Sequence, residues 1–185
     1  MYKKIMGIIL ACMALSLAGC SGKVATKSFV RENTNLSLIK TVAVLPFEGG
    51  GRAPRIRELT MTQLLDSGAF DVVDLGRVDV FLQQEAITPG APLDSFTIRR
   101  LGEGLKVQAV LLGSVEQATE SRGSASFPEI TMTLRLVDCE TGLLLWQASG
   151  RGSGYSLADR LFGFAPKDNF AVTMELLNEL FATMH

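Results

Sequence analysis

Thr41-Val42-Ala43-Val44-Leu45-Pro46-Phe47, followed at once by Glu48-Gly49-Gly50-Gly51, is the stretch that decides the fold. Its β-branched and apolar residues run without the polar alternation of a strand that has one wet face. The run therefore predicts a central strand buried on both sides. Such a strand needs covering layers, and the residues after it supply them. Pro54 sits where a helix can begin, and Ile56, Leu59, Leu64 and Leu65 give a helical stripe that ends at Ser67-Gly68, with glycine as the stop signal. Phe70 to Leu75 reads as a second strand, and Val78, Phe81 and Leu82 mark a short helix after it. Pro89, Gly90 and Pro92 then break the chain, and Asp94 or Ser95 caps a third helix carrying Ile98, Leu101 and Leu105.

Three strands follow in succession. The first is Val107 through Gln117. The second, Ile130-Thr131-Met132-Thr133-Leu134-Arg135-Leu136, alternates strictly, which buries one face and wets the other. A turn at Asp138-Cys139-Glu140-Thr141-Gly142 hands over to the third, Leu143 through Ser149, which holds the only tryptophan, Trp146. The glycine-rich passage Gly150-Arg151-Gly152-Ser153-Gly154 reads as the way into a loop, after which Asp168 or Asn169 caps a terminal helix built on Phe170, Met174, Leu177, Phe181 and Met184. The order β-α-β-α-α-β-β-β-α predicts an α/β fold: a single domain with a mixed sheet of about five strands and helices packed on at least one face.

Ahead of this domain, Lys3 and Lys4 precede an uncharged apolar segment, Ile5 through Leu17, of 13 residues. That is the layout of a signal peptide. As a helix the segment would be about 20 Å long, short of the ~30 Å hydrocarbon core of a membrane. Leu17-Ala18-Gly19-Cys20 closes it with the lipobox of a bacterial lipoprotein, which predicts diacylglycerol on the Cys20 thiol and an N-acyl chain after cleavage; an ordinary secretory signal ending near a cysteine is the alternative. Two or three acyl chains hold a protein on its membrane where one does not. Ser21 stands where aspartate would retain a lipoprotein at the inner membrane of enteric bacteria, so the expected location is the periplasmic face of the outer membrane, with outer-membrane lipid as the first partner. The organisation read from the sequence is signal peptide 1–19, lipidated cysteine and polar tether 20–39, and α/β domain 40–185, with Phe29-Val30 able to pin part of the tether.

Removing residues 1–19 leaves 166 of the 185 residues, enough for one domain. The removed segment carries two lysines and no acid, so the net charge moves from −1 to −3. Nothing in this balance points to nucleic acid. Cys12 leaves with the signal and Cys20 is acylated, which strands Cys139 without a disulfide partner; it reads as a small buried hydrophobe rather than a nucleophile.

The sole histidine is His185, the last residue. The chain thus offers no Ser-His-Asp or Cys-His arrangement and no histidine-based metal site, and no cofactor is expected beyond the acyl chains. Carboxylate pairs stay open in principle, but no spacing singles one out. Gly49-Gly50-Gly51 lies between a strand and a helix, where anions bind, yet it lacks the lysine and hydroxyl of a phosphate loop and reads as a flexible connector. Arg52, Arg55 and Arg57 follow it and read as a solvated face, with an anionic polymer or a neighbour's acids as the other possibility. Leu161-Phe162-Gly163-Phe164-Ala165-Pro166 puts two aromatic rings in what should be a polar loop. Leu161, Phe162 and Phe164 either fold back on the core or contact a membrane or partner, and the flanking glycine and proline favour a protruding contact.

Val42-Ala43-Val44-Leu45-Pro46-Phe47, Phe70-Asp71-Val72-Val73-Asp74, Leu111-Leu112-Gly113-Ser114-Val115, and Leu136-Val137-Asp138 with Thr141-Gly142 and Trp146 together resemble the CsgG-like envelope lipoproteins. That family takes in the curli secretion lipoprotein, the activator lipoproteins of cell-wall synthases and the lipoprotein of the Pel exopolysaccharide export system. The resemblance covers roughly residues 40–150 and implies a fold more than a function. The curli lipoprotein is similar in this core but carries strands that form a membrane barrel, each about 9–11 residues long. Here the connection Thr119 to Pro128 is ten residues with Glu120, Arg122 and three serines, and reads as too short for a membrane hairpin. The resemblance then implies a non-enzymatic periplasmic module. It is expected either as a self-associating subunit assisting export or assembly of an extracellular polymer alongside other envelope proteins, or as a docking module that activates a peptidoglycan synthase. The short tether favours the first.

Overall fold

β2 (Thr41–Val44) is the buried centre that its composition predicts, with Val42, Ala43 and Val44 at most 1% exposed. Parallel neighbours flank it on both sides. Val42, Ala43 and Val44 pair with Ala109, Val110 and Leu111 of β5 (Ala109–Arg122), while Thr41 and Val42 pair with Asp71 and Val72 of β4 (Asp71–Val72). The helical crossovers that parallel pairing demands are α1 (Ala53–Ser67) between β2 and β4, then α2 (Leu75–Gln84) and α3 (Ser95–Leu105) before β5. The remaining strands run antiparallel: β6 (Ala125–Asp138) pairs with β5, β7 (Leu144–Ser153) with β6, and β1 (Ala25–Val30) with β7. α4 (Asn169–Phe181) closes the chain.

This computed structural model describes residues 24–122, 125–155 and 167–184. Among them the sheet has seven strands in the order β1-β7-β6-β5-β2-β4, with β3 (Glu48–Gly49) paired to β5 beyond the end of β2. Side chains alternate across it. Val42, Val44, Leu111, Met132, Leu134 and Trp146 face α1 and α4, whereas Ala43, Leu45, Val110 and Val137 face α2 and α3. The mixed α/β class is as the sequence predicts, with helices on both faces. Local chemistry fixes the helix ends. Asp74, Asp94 and Asp168 accept hydrogen bonds through Oδ1 from the backbone N–H groups of Arg77, Thr97 and Ala171 at 3.2, 2.8 and 2.8 Å. α1 stops at Gly68, whose φ of 63° is the left-handed conformation glycine adopts without penalty.

Several expectations change. The sheet has seven strands rather than about five, because two polar segments join it. The stretch expected to be a free tether, 20–39, instead contributes β1 at the sheet edge, so the folded unit begins ahead of residue 40. Ala25 pairs with Arg151 and Val30 with Trp146, and Arg31 then donates from its backbone N–H to Leu145 O at 2.9 Å and from Nε to Leu144 O at 2.7 Å. Of Gly49-Gly50-Gly51, expected to be a flexible connector, Gly49 joins Glu48 in β3. Gly49 has φ of 135°, and a β-carbon there would collide with the Val115 carbonyl, so the glycine serves close pairing rather than freedom.

Nor is Thr119 to Pro128 a loop. β5 and β6 pair without interruption to Arg122 opposite Ala125. Beyond the last rung shared with β7, Glu129 opposite Ser153, this ribbon continues for about 14 Å, still short of the 9–11 residues a membrane-spanning strand requires. Gly150 to Ser153 is strand, not the start of a loop, and Gly150 and Gly152 lie beneath α4. A β-carbon at Gly150 would sit 2.8 Å from Leu176 Cδ1, and one at Gly152 would sit 2.9 Å from Val172 Cγ1. The bare strip lets the helix settle onto the sheet. The strand expected over Phe70 to Leu75 shrinks to Asp71–Val72, since the Asp74 cap starts α2 at Leu75.

Candidate functional site

The described residues offer little for bond-making chemistry. No group of three or more His, Cys, Asp or Glu side chains among them could hold a metal ion. Cys139 is 5% exposed, packed against Gly102 of α3, and its thiol is pushed up to about 12 by burial, with the neighbouring Asp138 charge adding to the effect. It is a protonated hydrophobe at neutral pH, as its isolation in the sequence predicts.

The arginine cluster divides. Arg52 and Arg55 are exposed, and Arg55 Nη1 bonds Glu58 Oε2 at 2.9 Å on the same helix. Arg57 is not part of a solvated face: it is 6% exposed. Its Nε and Nη2 donate to the Val44 carbonyl at 3.1 and 2.8 Å, and its Nη1 donates to Asp79 Oδ1 at 2.7 Å. One side chain of α1 thus ties the central strand to α2. Arg57, two positions along the helix from the exposed Arg55, looked equally exposed in sequence; only the packing of α1 on β2 separates them.

Leu17, Ala18, Gly19 and Cys20 lie outside the described residues, as do Leu161, Phe162 and Phe164 and the terminal His185. Their attachment points are defined. Residue 20 leads in five steps to Ala25, where β1 starts beside Arg151. The described residues on either side of 156–166 lie at one end of the sheet. There Lys167 donates from its N–H to the Gly154 carbonyl at 2.9 Å, Gly154 donates to the Pro128 carbonyl at 2.8 Å, and Tyr155 stacks on Phe127 at 4.1 Å between centroids. The base of the β5–β6 ribbon is at this end as well, and so is Phe170, 56% exposed in the first turn of α4.

Three surfaces stand out among the described residues. The first is the edge of β1, with Phe29 48% and Val30 37% exposed. The second is the face of β5-β6-β7-β1 that α2 and α3 leave uncovered. It is polar, with Thr133 and Ser149 hydroxyls 2.8 Å apart, Arg135 Nη2 at 4.0 Å from Glu48, and Arg151 paired with Glu129. The third is a groove of about 380 Å³ at the opposite end of the sheet from Ala25, lined by Leu36, Lys40, Leu64, Phe70, Phe181 and Met184 among others. Sequence reading missed the groove, since its walls come from three separate segments. Among the described residues no helix is long and apolar enough to cross a membrane.

Residues 56–151 match the family model described as peptidoglycan-synthase activator LpoB, more than half of the chain. No curated protein matches the sequence. Among solved structures, lipoprotein GNA1162 from Neisseria meningitidis is similar at a TM-score of 0.59 and 18% identity, covering 78% of this chain and 97% of that one. A PelC dodecamer from Paraburkholderia phytofirmans is similar at 0.55 and 14% identity, covering 86% and 96%. At these identities the likeness is one of fold. The match to the synthase-activator model supports a lipoprotein family of envelope assembly, and the solved structures support the fold. They lend no support to the CsgG-like label itself.

Proposed function

Because the chain belongs to the peptidoglycan-synthase activator LpoB family, we propose that it is a non-catalytic, lipid-anchored accessory protein that works by docking on a peptidoglycan synthase. The observation that carries this reading is the family match over residues 56–151. The described surface is in keeping with it: Cys139 is buried and inert, and the open features include faces and a groove. Cys20 supplies the anchor through its acyl chains, at the periplasmic face of the outer membrane. Leu161, Phe162 and Phe164 belong to the segment between Tyr155 and Lys167, which both sit at the end of the sheet where β1 starts, and they serve as a further membrane or partner contact.

A second reading is favoured by one observation. β1 starts within the expected tether, leaving five residue steps between Cys20 and Ala25, at most about 17 Å when fully extended. A domain held that close to its own membrane suits a subunit that self-associates around an export path, and the PelC structure that shares the fold is a dodecamer. One pair of measurements separates the two. The purified full-length lipoprotein is added to the synthase of the same organism in detergent, and glycan polymerisation is followed; the activator reading requires stimulation and is refuted by none. Native mass spectrometry of the same acylated protein reads its oligomeric state, and a closed ring without stimulation moves the assignment to export.

A further inference from the structure

We infer that the groove at the end of the sheet opposite the anchor docks an apolar segment of a periplasmic protein reaching toward this membrane from the other side of the periplasm. The inference rests on the proposed acylation of Cys20. Its walls are Leu36, Leu64, Phe70, Phe181 and Met184, and Lys40 is the one charged residue in its lining. Leu38, next in sequence to that lining in the 3-10 turn Leu36–Leu38, is an apolar side chain 68% exposed. The matching occupant is an apolar segment with an acidic residue at its flank.

Where the chain enters the fold decides which occupant is possible. Cys20 lies within about 17 Å of Ala25, and β1 then runs away from that point to Val30, opposite Trp146. The groove lies at this far end. Trp146 Nε1 donates to Thr183 at 3.0 Å there, in the 3-10 turn Ala182–Met184 that forms part of the groove wall. The groove is therefore turned away from the lipid. A second copy anchored by an equally short tether stands alongside with its own groove pointing the same way, so it presents its flanks and cannot fill this site. The β1 edge and the polar sheet face are the surfaces on which copies meet. What remains for the groove is a protein that comes from the opposite side.

Site-specific photo-crosslinking of the full-length protein in its own cells tests this. Benzoylphenylalanine is placed at Ala69, an exposed residue of the groove lining, and in a second strain at Phe29 on the β1 edge. The expected product at Ala69 is an adduct with a protein that mass spectrometry identifies as anchored in the inner membrane. Ser37→Glu, a charge placed on the exposed groove wall, should lower its yield about tenfold, as loss of one interface anchor does. The thermal midpoint should stay unchanged; if Ser37→Glu lowers it, Gln63→Glu replaces it. An Ala69 adduct only with a second copy or with lipid, no Ala69 adduct, or an adduct indifferent to the groove charges overturns the inference. Phe29 adducts between copies support the division of surfaces, and Phe29 adducts with the partner that Ala69 captures overturn it. Stimulation of a synthase without an Ala69 adduct sinks the groove alone, whereas an inner-membrane adduct without stimulation sinks the activator reading and leaves the groove standing.

Discussion

Replacing Arg57 with methionine separates two readings of the arginine cluster. A solvated arginine on a helix contributes almost nothing, so its removal should change stability by no more than about 0.5 kcal/mol. The structure gives a different value. Methionine keeps the apolar stem but takes away both hydrogen bonds to the Val44 carbonyl, and Val44 is fully buried. Counting these as one bond, because they share an acceptor, a charged donor is worth about 1.5–3 kcal/mol, and a buried carbonyl left without a partner costs about 1–3 kcal/mol. The two figures overlap in what they count, so the net loss is about 2–4 kcal/mol. The ion pair adds little, since the Asp79 side chain is 45% exposed and such pairs are worth about 1 kcal/mol or less. Asp79→Asn should therefore cost clearly less than Arg57→Met. In a domain of this size each kcal/mol lowers the midpoint by about 2–4 °C, so Arg57→Met should melt roughly 10 °C lower. Thermal and urea unfolding of both variants measure it. An Arg57→Met midpoint within about 2 °C of the parent, or an Asp79→Asn loss as large as the Arg57→Met loss, would refute the claim that the Val44 carbonyl is what Arg57 is there to satisfy.

Two further outcomes follow from the packing. Cys139 should resist alkylation at pH 8 in the native protein and react once unfolded. Because its folded pKa is raised to about 12, the stability linked to it is complete below the ordinary thiol value near about 8.5 and drains away as pH rises toward the folded value; prompt native labelling would contradict the burial. Gly152→Val should destabilise by about 1–3 kcal/mol through overpacking against Val172 of α4. Were the glycine-rich passage a loop, the same change would be neutral or stabilising in a chemical melt.

What the sequence determined by itself was everything that local chemistry dictates. The apolar run Val42 to Leu45 had to be a doubly covered strand, because a chain that apolar on both sides has nowhere else to go. The aspartates before α3 and α4 and Gly68 after α1 placed their boundaries through bonds made within a few residues. Cys139 was legible as inert for a related reason: the chain offers it no partner. Tertiary structure decided what depends on the far neighbour. Ala25–Val30 is polar and reads as tether, and it is a strand only because β7 presents a free edge for it. Gly150 and Gly152 look like loop until α4 lies across them, since a glycine stripe reports a close approach only when the approaching element is known. Arg57 resembles its exposed neighbours until the Val44 carbonyl is placed beside it. The groove takes its walls from Leu36, Leu64, Phe70 and Phe181, residues far apart in the chain that meet because two helices end where the edge strand turns back. Periodicity and capping are encoded over a few residues, but a docking surface is a coincidence of distant ones, and only the folded sheet brings them together.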